Sequence, residues 1–414
     1  MGTLNLIEAD VEKAKWFIFK EKTIRPISNR AIMKIKCPCC QSEIIKEVVY
    51  SKKNCPVLNN VVYGTEKEAR NCTVGNVELV LCPVCGFVFN CDFKEKLISY
   101  NEDYDGVRTY SKTYQSFLGE LVGIFSTQVS QKTRILEIGC GKGEFLTRLC
   151  LISGAMGFGY DITYQGEANY LENLSFFKKN FDPSESKEKY DIVILRHVLE
   201  HITNPNDFLK RIYSGKILSP GAKLWIEVPD FKWTMKNGVF YDITYEHCNY
   251  FTEQSLLYLL STIGYKVKTL KNVFGGQYIL AKAIFTQDKP AGEKQINSPS
   301  SILGLMKGLM EKRETYNNLI NKAKEICIWG ASGKGVIFLS ELTDEILDHI
   351  KFVIDVNPRK QGKFLPGSGK RVEPPEALKR VTGPVDILIM NEIYEKEIKN
   401  QLIEMGVNAQ THVF

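Results

Sequence analysis

Arg134-Ile135-Leu136-Glu137-Ile138-Gly139-Cys140-Gly141-Lys142-Gly143-Glu144-Phe145-Leu146 is the stretch that decides the fold. An apolar strand runs into glycines at alternate positions and then into a helix-forming segment, so backbone can approach a ligand where a side chain would clash. Glu137 stands two residues before the first glycine. A dinucleotide loop must admit a pyrophosphate, whereas a carboxylate beside the loop suits a cation, such as the amino and sulfonium groups of S-adenosylmethionine. Asp161 ends a second strand-like run, Gly157-Phe158-Gly159-Tyr160, and is placed to hold ribose hydroxyls. Glu137, Gly139, Gly141, Gly143 and Asp161 thus define a predicted methyl-donor site.

Outward from this loop the α/β pattern is regular. Strands are expected at Arg134 to Ile138, Met156 to Tyr160, Asp191 to Leu195 and Lys223 to Val228, alternating with helical segments and so forming a mainly parallel sheet. Ser219-Pro220-Gly221-Ala222 marks the turn into the last of these. A polar stretch near Phe285 to Ser301 reads as a linker, and a long helix from about Ile302 leads into a second α/β unit. That unit has strand Ile326 to Trp329, loop Gly330-Ala331-Ser332-Gly333-Lys334-Gly335 and Asp355. The loop and Lys334 can face phosphates, as in a dinucleotide fingerprint, which makes an NAD-dependent oxidoreductase a rival reading. The unit is only half a dinucleotide domain, however, which favours a nucleotide diphosphate or a purely architectural role.

At 414 residues, two or three domains are expected. The formal charge of +6, from 54 basic and 48 acidic residues, is spread without a basic block, so nucleic acid is not an expected partner. No run reaches the length of a membrane span and the start is polar, which makes a cytoplasmic protein the expectation. Among the 12 cysteines, Cys37 and Cys40 form one C-x2-C pair and Cys82 and Cys85 another. Two such pairs present four thiolates to a tetrahedral ion, and a closed coordination sphere points to structural Zn2+.

Three of the five histidines fall in two short segments expected at one end of the sheet. Arg196-His197-Val198-Leu199-Glu200-His201 would put both histidines on one helical face, but a zinc hydrolase would need a third ligand that the sequence does not offer. His197 is read as packing near the cofactor and His201 as pointing into the pocket. In Thr244-Tyr245-Glu246-His247, His247 is the candidate general base and Glu246 the carboxylate that orients it.

With these pieces in order, the chain resembles the three-domain, zinc-containing methyltransferases that include the C-methyltransferases of nucleotide-linked deoxy-keto sugars. The resemblance rests on the cysteine pairs, Glu102-Asp103-Tyr104, the Glu137 to Gly143 loop, Glu246-His247 with Tyr250-Phe251, and Asp355-Val356-Asn357-Pro358 with Leu365-Pro366-Gly367. It implies an α/β architecture in three parts: an N-terminal extension and zinc module over 1–100, a class I S-adenosylmethionine domain over 101–290, and a linker helix with a smaller Rossmann-like domain over 291–414. It also implies His247 as base, with Tyr104, His201 and Glu246 lining the pocket of a nucleotide-linked sugar. The family commonly reads Tyr-His-Glu-His where this chain has Thr244-Tyr245-Glu246-His247. The implied chemistry is methyl transfer to carbon through a His-generated enolate. The alternatives are oxygen or nitrogen methylation of another small metabolite, and a non-catalytic zinc-ribbon adaptor.

Overall fold

Strand Arg134–Ile138 (β1) lies inside an eight-stranded sheet whose remaining strands are Met156–Tyr160 (β2), Asn169–Leu171 (β3), Leu174–Phe177 (β4), Tyr190–Arg196 (β5), Leu218–Pro229 (β6), Tyr265–Val273 (β7) and Tyr278–Phe285 (β8). Their spatial order is β7-β8-β6-β5-β1-β2-β4-β3. The stretch from β6 to β4 is parallel, while β8 returns antiparallel to β6. This computed structural model describes residues 33–186, 188–285, 299–322 and 326–413. Most of the N-terminal extension and of the polar linker after Phe285 lies outside the described residues.

Both faces of the central strands are covered, which is why they read as almost unbroken apolar runs rather than alternating ones. Helix Lys112–Ser126 buries Tyr114, Phe117, Leu118, Leu121, Val122 and Phe125, an i, i+3, i+4, i+7 stripe, against Ile135, Ile192, Ile194 and Trp225. Leu136, Ile138, Val193 and Ile226 face the other way and share a core with Cys37, Cys82, Phe87 and Phe89. The cysteine module is thereby packed onto the sheet that carries the glycine loop.

β1 and β2 have the bounds their sequence predicts, and β5 extends one residue further at each end. β6 starts earlier than expected. Its pairing with β5 jumps from Tyr190↔Leu218 to Ile192↔Lys223, so Ser219-Pro220-Gly221-Ala222 is absorbed as a bulge, with Gly221 at φ 74°, instead of a turn before the strand.

Among the described residues three smaller sheets accompany this one, the smallest a pair formed by Lys34–Lys36 and Glu43–Ile45. The N-terminal sheet orders Asn249–Tyr250, Val88–Asn90, Val74–Leu81 and Val48–Pro56, all antiparallel, so its edge strand comes from the segment just after His247. Val61-Val62-Tyr63, an apolar run between the two cysteine pairs, makes only a single bridge, Tyr63 to Phe364. The C-terminal sheet is parallel and five-stranded: Val372–Glu373, Ile350–Ile354, Ile326–Trp329, Val385–Ile389 and Ala409–His412. Tyr50, Leu79, Tyr241, Ile243, Tyr250, Ile328 and Val336 belong to one core, which joins all three parts. Among the described residues no helix is long and apolar enough to cross a membrane.

Candidate active site

Beyond β1 the chain turns through Gly139, Gly141 and Gly143, with φ of 72°, 57° and 79°. A Cβ at Gly139 would stand 2.4 Å from Val198, and one at Gly143 would stand 2.5 Å from Phe176. At Gly141 it would meet nothing within 4 Å. The outer glycines therefore let the loop close against its neighbours, while Gly141 lines a cavity of about 890 Å³. Gly139, Glu137, Asp161 and His197 line the same cavity; Gly143 is set back as the N-cap of helix Glu144–Ser153.

Asp161, expected to hold ribose hydroxyls, is engaged within the protein. One of its oxygens accepts from the Gly141 amide at 2.8 Å and the other from Thr163 N and Oγ1, each at 2.7 Å, so it also shapes the loop. Glu137 is 2 % exposed and its Oε2 has no hydrogen-bond partner. Burial pushes its carboxyl up to about 7, with the Arg196 guanidinium opposing that shift. A buried carboxylate with an unused oxygen beside an open glycine fits a cationic ligand such as S-adenosylmethionine.

At the ends of β5 and β6, Arg196 donates from Nη2 to Glu227 Oε1 at 3.1 Å. His197 Nε2 lies 2.9 Å from the same Glu227 oxygen, and its Nδ1 lies 3.3 Å from Glu200 Oε1. Burial alone would raise the Glu227 carboxyl, but Arg196 and His197 hold it down to about 2. His197 reaches both carboxylates from a left-handed backbone, φ 54°, and only Leu199–His201 forms a 3-10 turn. The helical face that would have aligned His197 with His201 does not form, and the two rings serve different partners.

His201 Nδ1 is 2.9 Å from the Glu246 backbone carbonyl and 3.2 Å from Tyr100 Oη. A carbonyl only accepts, so the hydrogen bond to Glu246 puts the proton on Nδ1 and leaves Nε2 as the free side of the ring. The His201 and His247 rings meet edge to face at 4.9 Å. Burial pushes His247 down to about 4, and His201 adds to that shift while Glu200 and Asp242 oppose it. Glu246 sits differently from the expectation that it orients His247. Its carboxylate accepts from Tyr104 Oη at 2.7 Å and from the Asn59 amide. Burial raises its carboxyl against the influence of His201. Tyr245 is buried under Gly75 and Phe93 and accepts from the Lys94 amide at 2.8 Å, whereas Thr244 lines the pocket.

A second cavity of about 250 Å³ is lined by Glu200 and His247 on one side and by Gly330, Lys334 and Asn357 of the C-terminal unit on the other. Tyr104, Arg108, His197, His201 and Glu246 line both cavities and form their common wall. Sequence reading missed Arg108, Glu200 and Glu227. Glu227 did leave a signal, a single charge inside the apolar run Leu224-Trp225-Ile226-Glu227-Val228.

Away from the cavities, Cys37 Sγ is 3.7 Å from Cys85 Sγ and Cys40 Sγ is 3.7 Å from Cys82 Sγ, with all four sulfurs within 4.8 Å of one another. Four thiolates about 2.3 Å from a tetrahedral ion stand about 3.8 Å apart, so this donor set fits Zn2+. Cys39 is not one of the four; its thiol faces the Ser255 carbonyl at 4.0 Å.

Residues 110–270 match the family described as a methyltransferase domain, which places the chain in the class of S-adenosylmethionine-dependent methyltransferases. Residues 308–414 match the family described as a C-methyltransferase C-terminal domain. The two matches follow one another along the chain in this order. C-methyltransferase NovU of Streptomyces niveus is 27% identical over 204 residues, covering 45% of this chain and 47% of NovU. The match thus spans about half the length of that curated relative. Solved structures that align include magnesium protoporphyrin IX methyltransferase ChlM from Synechocystis PCC 6803 with bound SAH, at 18% identity and TM-score 0.33 over 42% of this chain and 84% of ChlM. Another is a SAM dependent methyltransferase from Aquifex aeolicus, at 16% identity and TM-score 0.34 over 43% of this chain and 96% of that one.

Proposed function

We propose that the protein transfers a methyl group from S-adenosylmethionine to a carbon of a nucleotide-linked keto-deoxy sugar. The observation that carries this reading is the seam between the two cavities, where His201 lines both and its ring meets that of His247, which lines the second, edge to face at 4.9 Å. S-adenosylmethionine, held by Glu137, Gly139, Gly141 and Asp161, supplies a methyl group on a sulfonium. In the acceptor, the C–H bond next to the ketone breaks, its electron pair stays on the sugar as an enolate, and the proton passes to His247. The enolate carbon then bonds to the methyl group as the methyl–sulfur bond breaks, leaving a neutral thioether. Held at about 4 by burial, His247 is neutral and ready to accept at pH 7. Arg108, in the common wall, brings the positive charge that an enolate oxygen or a pyrophosphate requires. Tyr104 is committed to Glu246 and acts by fixing that carboxylate.

The acceptor class rests on the lining of the second cavity, which has the histidines on one side, where a sugar would react, and the C-terminal glycine loop with Lys334 on the other, where the phosphates of a linked nucleotide would be answered. The four-cysteine site is assigned to structural Zn2+, which takes no part in the chemistry. Incubation with S-adenosylmethionine and a panel of nucleotide 4-keto-6-deoxy sugars in heavy water tests the reading. It predicts a product with a new C–C bond and, without methyl donor, deuterium at the carbon next to the ketone. Methylated product with no loss of a carbon-bound proton would favour oxygen or nitrogen as acceptor. Absence of both exchange and methylation would remove this sugar class.

A further inference from the structure

His247 needs a counter-charge when it takes a proton, and the carboxylate next to it in the chain is already in use. Glu246 spends one oxygen on Tyr104 Oη and the other on the Asn59 amide. Glu200 is free to serve. It is 1 % exposed, its Oε1 faces His197 Nδ1 at 3.3 Å, and its Oε2 is buried without a hydrogen-bond partner. One oxygen of Glu200 and one ring nitrogen each of His201 and His247 lie within 4.8 Å of one another.

From this geometry we propose that Glu200, and not Glu246, is the positioning carboxylate that lets the His201–His247 pair act as a base. The inference rests on the proton-abstraction reading above. A neutral imidazole that gains a proton in a buried pocket becomes a cation stripped of water, and an anion within a few ångströms is what makes that form accessible. The groups that face His247 are His201 and His197, which disfavour its cation, and Glu200 and Asp242, which favour it. Asp242 Oδ2 is shared with Lys334 at 3.7 Å and Thr234 at 3.4 Å, so part of its charge is answered already. Burial would neutralise Glu200, but His197, His201 and His247 together hold its carboxyl below the ordinary range. His201 completes the unit: its Nδ1–H is pinned to the Glu246 carbonyl, so its Nε2 is the side left for the shared proton.

The test uses the whole protein without ligand. With five histidines in the chain, the His247 imidazole signal can be assigned by NMR through its own substitution. In wild type that signal is expected to start moving as pH falls below about 5, consistent with a buried imidazole. Glu200→Gln should hold it at its neutral position down to pH 4, while Glu246→Gln should leave the wild-type titration in place. At pH 7, Glu200→Gln should also slow solvent exchange of the acceptor proton about 30-fold, as loss of a base's counter-charge within a general-base range of effects. A wild-type titration in Glu200→Gln, or its loss in Glu246→Gln alone, overturns the assignment. Should Glu200→Gln fail to fold, Glu200→Asp carries the test. Withdrawing the carboxylate by one methylene should lower the His247 midpoint, and an unchanged midpoint overturns the proposal. Failure of the underlying reading shows itself separately, as wild-type protein that exchanges no acceptor proton while the NMR pattern still holds.

Discussion

In both α/β units a strand runs into a glycine-rich turn, and in both an aspartate at the end of the neighbouring strand accepts an amide of that turn. Asp161 accepts from Gly141 at 2.8 Å and Asp355 accepts from Ala331 at 2.8 Å. What differs is the strand residue two positions before the first glycine: Glu137 in one unit and Ile328, fully buried, in the other. The cations differ too. Lys142 is tied back to the Thr163 carbonyl at 2.8 Å, whereas Lys334 reaches across to Gln277 and Asp242 at the second cavity. One scaffold thus makes the turn twice, and under the proposed function the side chains around it choose the sign of the ligand: a cation at the first loop and an anion at the second.

The comparison breaks most visibly at the glycines. A Cβ at Gly335 would stand 1.9 Å from the Gly330 carbonyl oxygen, so Gly335→Ala should destabilise the protein by about 3 kcal/mol, as a backbone clash in a closed loop does. Chemical denaturation would show it, and an unchanged midpoint would mean that the second loop opens freely. Glu137→Gln removes the charge that distinguishes the loops and should weaken S-adenosylmethionine binding between about 10- and 100-fold, or about 1.4 to 2.8 kcal/mol. Calorimetry with the cofactor alone reads this, and wild-type affinity would take Glu137 out of recognition. Lys334→Ala should do the reverse, raising the KM for a nucleotide-linked acceptor about tenfold while cofactor affinity stays put, as loss of one charge-assisted contact predicts.

The smallest effect is one of pH. Because burial holds Glu137 at about 7, its carboxylate is ionised at pH 8 and mostly neutral at pH 6. Cofactor affinity should therefore fall about fivefold on acidification between these values, following the loss of the attracting charge. A profile flat in wild type, or a slope that persists unchanged in Glu137→Gln, would contradict the assignment.

The strands and loops that make this comparison were legible because they depend on local pattern: apolar runs, alternate glycines, a charged residue inside a strand. The four-cysteine cluster was legible for the same reason, since two C-x2-C pairs carry their geometry in their spacing. Glu200 was not. Its significance comes from contacts with His247, supplied by a distant segment, and from Glu246 being drawn off by Asn59 and Tyr104, also remote in sequence. The left-handed turn at His197 was hidden too, because the helical spacing of two histidines says nothing of a backbone bent to meet two carboxylates. Nor could periodicity place Tyr245 beneath the N-terminal sheet and Thr244 at the pocket.

The two-residue strand Asn249–Tyr250 pairs with Phe89 and Val88, and the Asn90 amide donates to the Cys248 carbonyl at 2.9 Å. The loop carrying the proposed base is thus woven into the sheet beside the cysteine site. An exchange of the N-terminal sheet between relatives would bring in foreign strands to hold this chain's own His247. The cysteine module is therefore not a portable cap, because its sheet is completed by the segment that carries the proposed base.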